Sequence, residues 1–188
     1  MSTDEVVERY VEALAFFGGQ VQGVQDHEWD LDTPCAEWNV KQLVAHVVLG
    51  EALLRRLIDG EAAGDQVEVD ASVLGIHPMS TWRGTALAAI DAARTPGVVE
   101  RGMDHPAGAN SGGQILGSRI SENLVHGWDV SVAVGRPVQL PEDLAEYVLD
   151  FWMPAFSDLS GSADYAPSLE PPPGAAAGVR LLALLGRS

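Results

Sequence analysis

Segment after segment, this chain repeats its apolar residues every three or four positions and nowhere alternates them in twos. That pattern supplies helices and offers no convincing strand. From about Thr3 to Gln22, the residues Val6, Val7, Tyr10, Val11, Leu14 and Phe17 recur at helical spacing. Thr3 can cap this first helix, and Gly18-Gly19 is expected to fray its end. Asn39 opens a second helix, with Gln42 three residues on as a capping-box partner. Its apolar stripe is Val40, Leu43, Val44, Val47, Leu54, Leu57 and Ile58. A third helix starts at Ser80 or Thr81 and ends near Arg94, before Thr95-Pro-Gly. The fourth runs from about Gln114 to Val134, a fifth from Glu142 to Phe156, and a last short one from Val179 to Leu185. Four long helices with long connections predict an all-α bundle, about residues 3–135, with extra C-terminal helices in an extension over 136–188. The connections Gly60–Pro78 and Arg101–Gly113 are long enough to roof one end of it. Ser157–Gly178, rich in Pro, Gly and Ala, is expected to be irregular.

Two of the helices bear residues able to do chemistry. Glu122 and His126 are four apart in SRISENLVHGWDVSVAV, which puts them one turn apart on one face. His46 lies on the flank of the second helix. Packed together, the three side chains could close a metal site with one position open for water or a thiol. The same spacing also describes a solvated stripe of Ser118, Arg119, Glu122, His126 and Asp129, with Arg119 pairing to the acids.

The surrounding text favours the metal. The strings TPCAEWNVKQLVAHV (Thr33–Val47) and RISENLVHGWDV (Arg119–Val130) resemble the mycothiol-dependent maleylpyruvate isomerase N-terminal domain, one of the DinB-like (YfiT-like) metal-binding four-helix bundles. The closing LLALLGR (Leu181–Arg187) resembles the end of its short, single-domain actinobacterial members, so the likeness runs from about Asp4 to Arg187. The resemblance implies that His46, Glu122 and His126 are the metal ligands and that the whole chain is one metal-binding domain. It implies mycothiol as the thiol, and a family-wide tendency to dimerise suggests a homodimer. Zinc is the expected metal, since nothing suggests a redox site. Nickel, iron or manganese would accept the same donors. Nothing after the bundle is expected to form the isomerase's separate C-terminal domain, which favours an S-transferase over the full isomerase reaction. A metal-binding protein without catalysis and a metal-assisted hydrolase are the alternatives.

Composition narrows the partners. The net charge of −16 and the pI of about 4.4 repel phosphate backbones and anionic lipid, so neither nucleic acid nor a membrane surface is expected. No apolar run approaches spanning length and no leader pattern is present, so a cytoplasmic protein acting on small molecules is expected. Cys35 is the sole cysteine, so no internal disulfide can form. Lys41 is the sole lysine against ten arginines, which fits a GC-rich actinobacterial genome.

Other residues carry weaker signals. Cys35 precedes a helix, where a thiol pKa falls, yet a structural cysteine is the commoner case. Asp129 could fix a ligand tautomer, and Arg119 could pair with Glu122. Trp38 and Trp128 are expected in the core. His105 and His77 lie in the two long connections, where either could line an open face, and His27 has no nameable partner.

Overall fold

The first helix, α1 (Thr3–Gly23), runs straight through the glycine pair expected to fray it. The structure, a computed structural model, describes residues 3–64, 69–106, 108–152 and 168–187. The reason for the continuity lies on the helix that carries Trp82. The Trp82 indole lies over Gly18, where an added Cβ would fall 2.0 Å from the ring. Phe17 and Trp82 meet with centroids 6.1 Å apart. Val6, Tyr10, Ala13, Leu14, Phe17 and Val21 are all fully or almost fully buried, each large apolar one contributing roughly 1.5–3 kcal/mol.

The next segment folds back before α2 (Val40–Ile58) begins. Val40 N–H donates to the Leu31 carbonyl and Lys41 N–H to that of Trp29. Asn39 caps α2 reciprocally: its side chain accepts from Gln42 N–H at 2.9 Å, and the Gln42 amide oxygen accepts from Asn39 N–H at 3.1 Å. After α2, the described part of the connection carries a short 3-10 turn, Ala71–Leu74, with Leu74 buried. Then α3 (Pro78–Ala93) starts two residues before Ser80, because a proline is well suited to the first helical position.

Strand spacing missed one element. Within the expected loop Arg101–Gly113, β1 (Gly102–His105) and β2 (Gly108–Ser111) pair antiparallel, with His105 opposite Gly108 at the tip. Arg101 anchors this hairpin by donating to the Ile58 carbonyl at the end of α2, at 2.6 Å. The chain passes directly from β2 into α4 (Gly112–Ala133), capped reciprocally by Ser111 and Gln114.

Helix α4 is the centre of the bundle. It packs most extensively on α1 and next on α2, and α2 also packs on α3. Nearly every residue from Ile115 to Ser131 is buried, so its polar side chains face protein. At its C-terminal end Arg136 grips Glu28 with two hydrogen bonds, 3.0 and 2.8 Å.

The chain divides into two compact units, Met1–Arg136 and Pro137–Ser188. In the second, α5 (Glu142–Trp152) packs on α6 (Ala177–Leu184), and Glu142 accepts from the Ala177 N–H at 2.6 Å. The expected extension of α5 to Phe156 lies outside the described residues, as does half of the stretch expected to be irregular. No helix among the described residues is long and apolar enough to cross a membrane.

Candidate metal centre

Helix α2 delivers His46 and α4 delivers Glu122 and His126, and the three converge. Both imidazole Nε2 atoms point at one carboxylate oxygen: His46 lies 2.7 Å and His126 3.4 Å from Glu122 Oε2. The candidate donor atoms lie within 4.8 Å of one another, and they form the one such group among the described residues. Two imidazoles and a carboxylate suit a divalent ion. Ligands at zinc bond lengths in a tetrahedron stand roughly 3.4 Å apart, so only a slight opening at His46 is needed. His126 is closed in at 11% side-chain exposure, while Glu122 at 36% and His46 at 27% leave an approach from solvent.

Neighbours fix each corner. Asp129, fully buried, holds His126 Nδ1 at 3.0 Å and so directs Nε2 toward Glu122. Trp38 stacks on the His46 ring at 4.3 Å and meets His126 edge-on at 6.1 Å. Sequence reasoning put Trp38 in the core. It is half-buried, because the turn Thr33–Trp38 presents it to the site: Thr33 Oγ1 donates to the Trp38 carbonyl at 2.7 Å, and Trp38 N–H donates to the Cys35 carbonyl at 3.0 Å. Its place immediately before the Asn39 cap was the available signal.

Arg119 pairs chiefly with Glu51, which sequence reasoning had not singled out. The guanidinium lies 2.8 Å from Glu51 and 3.7 Å from Glu122. Glu51 is fully buried and also accepts from the Tyr10 hydroxyl. The reading of a solvated polar stripe fails here, since Arg119, His126 and Asp129 are all buried. Only Glu122 and Ser118 keep partial exposure.

Electrostatics follow from these contacts. Burial alone would raise the Glu122 pKa. Hydrogen bonds from His126 and His46, with the charges of His126 and Arg119, override it and hold the carboxylate well below its usual range. Burial would lower His126, but Asp129 and Glu122 outweigh it and push the imidazole up. His105, at the hairpin tip, is shifted down by burial and by the Arg119 charge, against an opposing pull from Glu122. His77 is the exposed N-cap of α3, and His27 is exposed in the connection after α1. Cys35 lies four residues before the α2 cap, within the turn, so it is not at the helix N-terminus.

The sequence profile of the mycothiol maleylpyruvate isomerase N-terminal domain matches residues 10–131. Uncharacterized proteins from two strains of Mycobacterium tuberculosis are each 29% identical over 113 residues, 60% of this chain and 58% of theirs. The chain thus spans a little over half the length of these curated relatives. Among solved structures, the mycothiol-dependent maleylpyruvate isomerase superposes with a TM-score of 0.70 at 16% identity, over 83% of this chain and 70% of that one. A histidine-to-alanine mutant of it gives 0.69 at 15%. These structures share the fold, a DinB-like helical bundle. With the profile running from Tyr10 in α1 to Ser131 near the end of α4, the chain belongs to the mycothiol maleylpyruvate isomerase N-terminal domain family.

Proposed function

We propose that this chain is a metal-dependent enzyme acting on a low-molecular-weight thiol, with mycothiol as that thiol. The observation that carries the reading is the convergence of His46, Glu122 and His126 on one point, in a family named for a mycothiol reaction. These three would hold a divalent ion, zinc first, and leave its remaining position on the side exposed through His46 and Glu122. A zinc ion held there would lower the pKa of a coordinated thiol and so supply a strong nucleophile at neutral pH.

The chain's own residues set up that chemistry. Asp129 keeps the proton of His126 on Nδ1, leaving the Nε2 lone pair for the metal. Glu122 is ionised and ready to ligate. Trp38 holds the plane of the His46 ring. His105 shapes the approach from the hairpin side. An electrophile arriving there is attacked by the thiolate sulfur. In S-transfer the leaving group departs with the bonding electrons. In isomerisation the sulfur adds to a double bond, the new single bond rotates, and elimination returns the thiol. S-transfer is the reading we favour.

Metal analysis of dialysed protein tests the ligands. Wild type should hold about one divalent ion per chain, and His46→Ala and Glu122→Ala should lose it. Equal content in all three sinks the assignment. A cobalt-substituted sample tests the thiol: adding mycothiol should produce a thiolate-to-metal charge-transfer band. No band, together with hydrolysis of test esters or amides, would favour the metal-assisted hydrolase.

A further inference from the structure

Gly50 lies in the middle of α2, where glycine is a much poorer helix former than alanine. A Cβ built there would stand 2.3 Å from Arg119 Nη1, 2.5 Å from Cζ and 2.7 Å from Nη2. The guanidinium thus fills the space in which any side chain at position 50 would lie.

Its other contacts leave it no freedom. Nε and Nη2 donate to Glu51 Oε1 at 3.1 and 2.8 Å, and Nη2 also reaches the Val47 carbonyl at 3.2 Å. Glu51 is held in turn by the Tyr10 hydroxyl and by Asn123 Nδ2 at 2.6 Å. The same Asn123 amide donates to the Arg119 carbonyl at 2.8 Å. The remaining nitrogen, Nη1, lies 3.7 Å from Glu122 Oε2, an ion-pair separation beyond hydrogen-bond length. Assembling a buried ion pair carries a desolvation penalty for each ion, and well-packed apolar side chains often serve stability as well or better. A clamp of this kind, built around a missing side chain, therefore points to something beyond stability.

We propose that Gly50, Glu51 and Arg119 form a positioning unit that sets the Glu122 carboxylate at its corner of the triad, with Arg119 Nη1 as the point of contact. The inference rests on the metal reading for its purpose. Its geometry can be tested separately.

Gly50→Ala is the main probe, and Gly18→Ala is its control. Each places a methyl against a buried neighbour, but Gly18 faces Trp82 rather than the clamp. Gly50→Ala should weaken zinc binding about ten- to a hundredfold, measured by competition with a chromophoric chelator. Crystal structures of the metal-free variants should show Glu122 withdrawn from His46 in Gly50→Ala and in place in Gly18→Ala. If Gly50→Ala does not fold, Glu51→Gln combined with Arg119→Met replaces it. That pair leaves no buried unpaired charge and keeps an acceptor for Tyr10. It should show the same loss. Unchanged affinity with Glu122 in place overturns the inference, and so does equal loss in Gly18→Ala. If wild type holds no zinc, the metal reading fails, and the position of Glu122 in the crystal structures alone decides the clamp.

Discussion

Trp38 lies against His46 face to face, so the indole walls an imidazole whose far edge is held by Glu122. Removing that wall frees the ring, and disturbing an outer neighbour of a metal ligand typically costs ten- to a hundredfold in affinity. Trp38→Ala should weaken zinc binding by roughly tenfold in a calorimetric titration, while Trp38→Phe, which keeps an aromatic face, should stay near wild type. Equal affinity for both variants and wild type would remove Trp38 from the site. Cys35→Ser should keep both metal and turnover, since the proposed nucleophile is the bound thiol and Cys35 sits in the turn that presents Trp38. Loss of turnover with metal retained would make Cys35 the nucleophile. His46, Glu122 and His126 were legible as a group because two strings of text framed them and one helical turn spaced two of them. Glu51 was not, because a glutamate among Leu, Gly and Ala reads as one more helical surface residue until its buried partner is seen. Trp38 was misread for the opposite reason: a tryptophan beside an apolar stripe usually joins it.

At the level of elements, caps decided what periodicity left vague. The reciprocal pairs Asn39–Gln42 and Ser111–Gln114 each satisfy two backbone donors at the start of the helices that hold the triad. Asn39→Ala should lower stability by about 1 kcal/mol, read as a lower denaturant midpoint with an unchanged slope. The hairpin β1–β2 escaped notice because Gly, Asp, Asn and Ala are poor strand residues. Its pairing is sustained by its surroundings, with Arg101 tied to the end of α2 and Ser111 serving as the cap of α4. The connection after α1 has its own anchor in Glu28. Hydrogen bonds from Arg136 and from the Gln25 backbone lower the Glu28 pKa from 4.5 to about 2. A carboxylate depressed in the folded state contributes stability that is complete above its unfolded pKa and is lost as pH falls through the folded one. The gap in melting temperature between wild type and Glu28→Gln should therefore be constant above pH 4.5 and close as pH falls toward about 2. A gap that stays the same at pH 5 and pH 2.5 would mean that the contact with Arg136 contributes nothing.

On the scale of the whole molecule, an acidic chain carries a site that needs a cation. The −16 charge draws metal ions toward every surface, so affinity alone does not identify a specific centre, and linkage to protons does. His126 and Glu122 are shifted in opposite directions. Glu122 stays ionised through the neutral range, which leaves the imidazoles as the groups that exchange protons for metal. With its folded pKa raised, His126 contributes stability to the metal-free protein that is fully present below the unfolded value of about 6.5. That contribution is lost as pH rises through the folded value. Zinc needs the neutral ring, so the stability it adds, set by its concentration relative to Kd, should run the other way and grow with pH. Melting temperatures at pH 6, 7 and 8, with chelator and with saturating zinc, separate the two slopes. The chelated wild type should fall toward pH 8 relative to His126→Gln, and the zinc increment should rise over the same interval and be absent in that variant. Calorimetry in buffers of different ionisation enthalpy should count no more than about two protons released per zinc bound, and more at pH 6 than at pH 8. A zinc increment equal at pH 6 and pH 8, or retained in full by His126→Gln, would show that the ion rests on surface carboxylates and that the three converging side chains do not hold it.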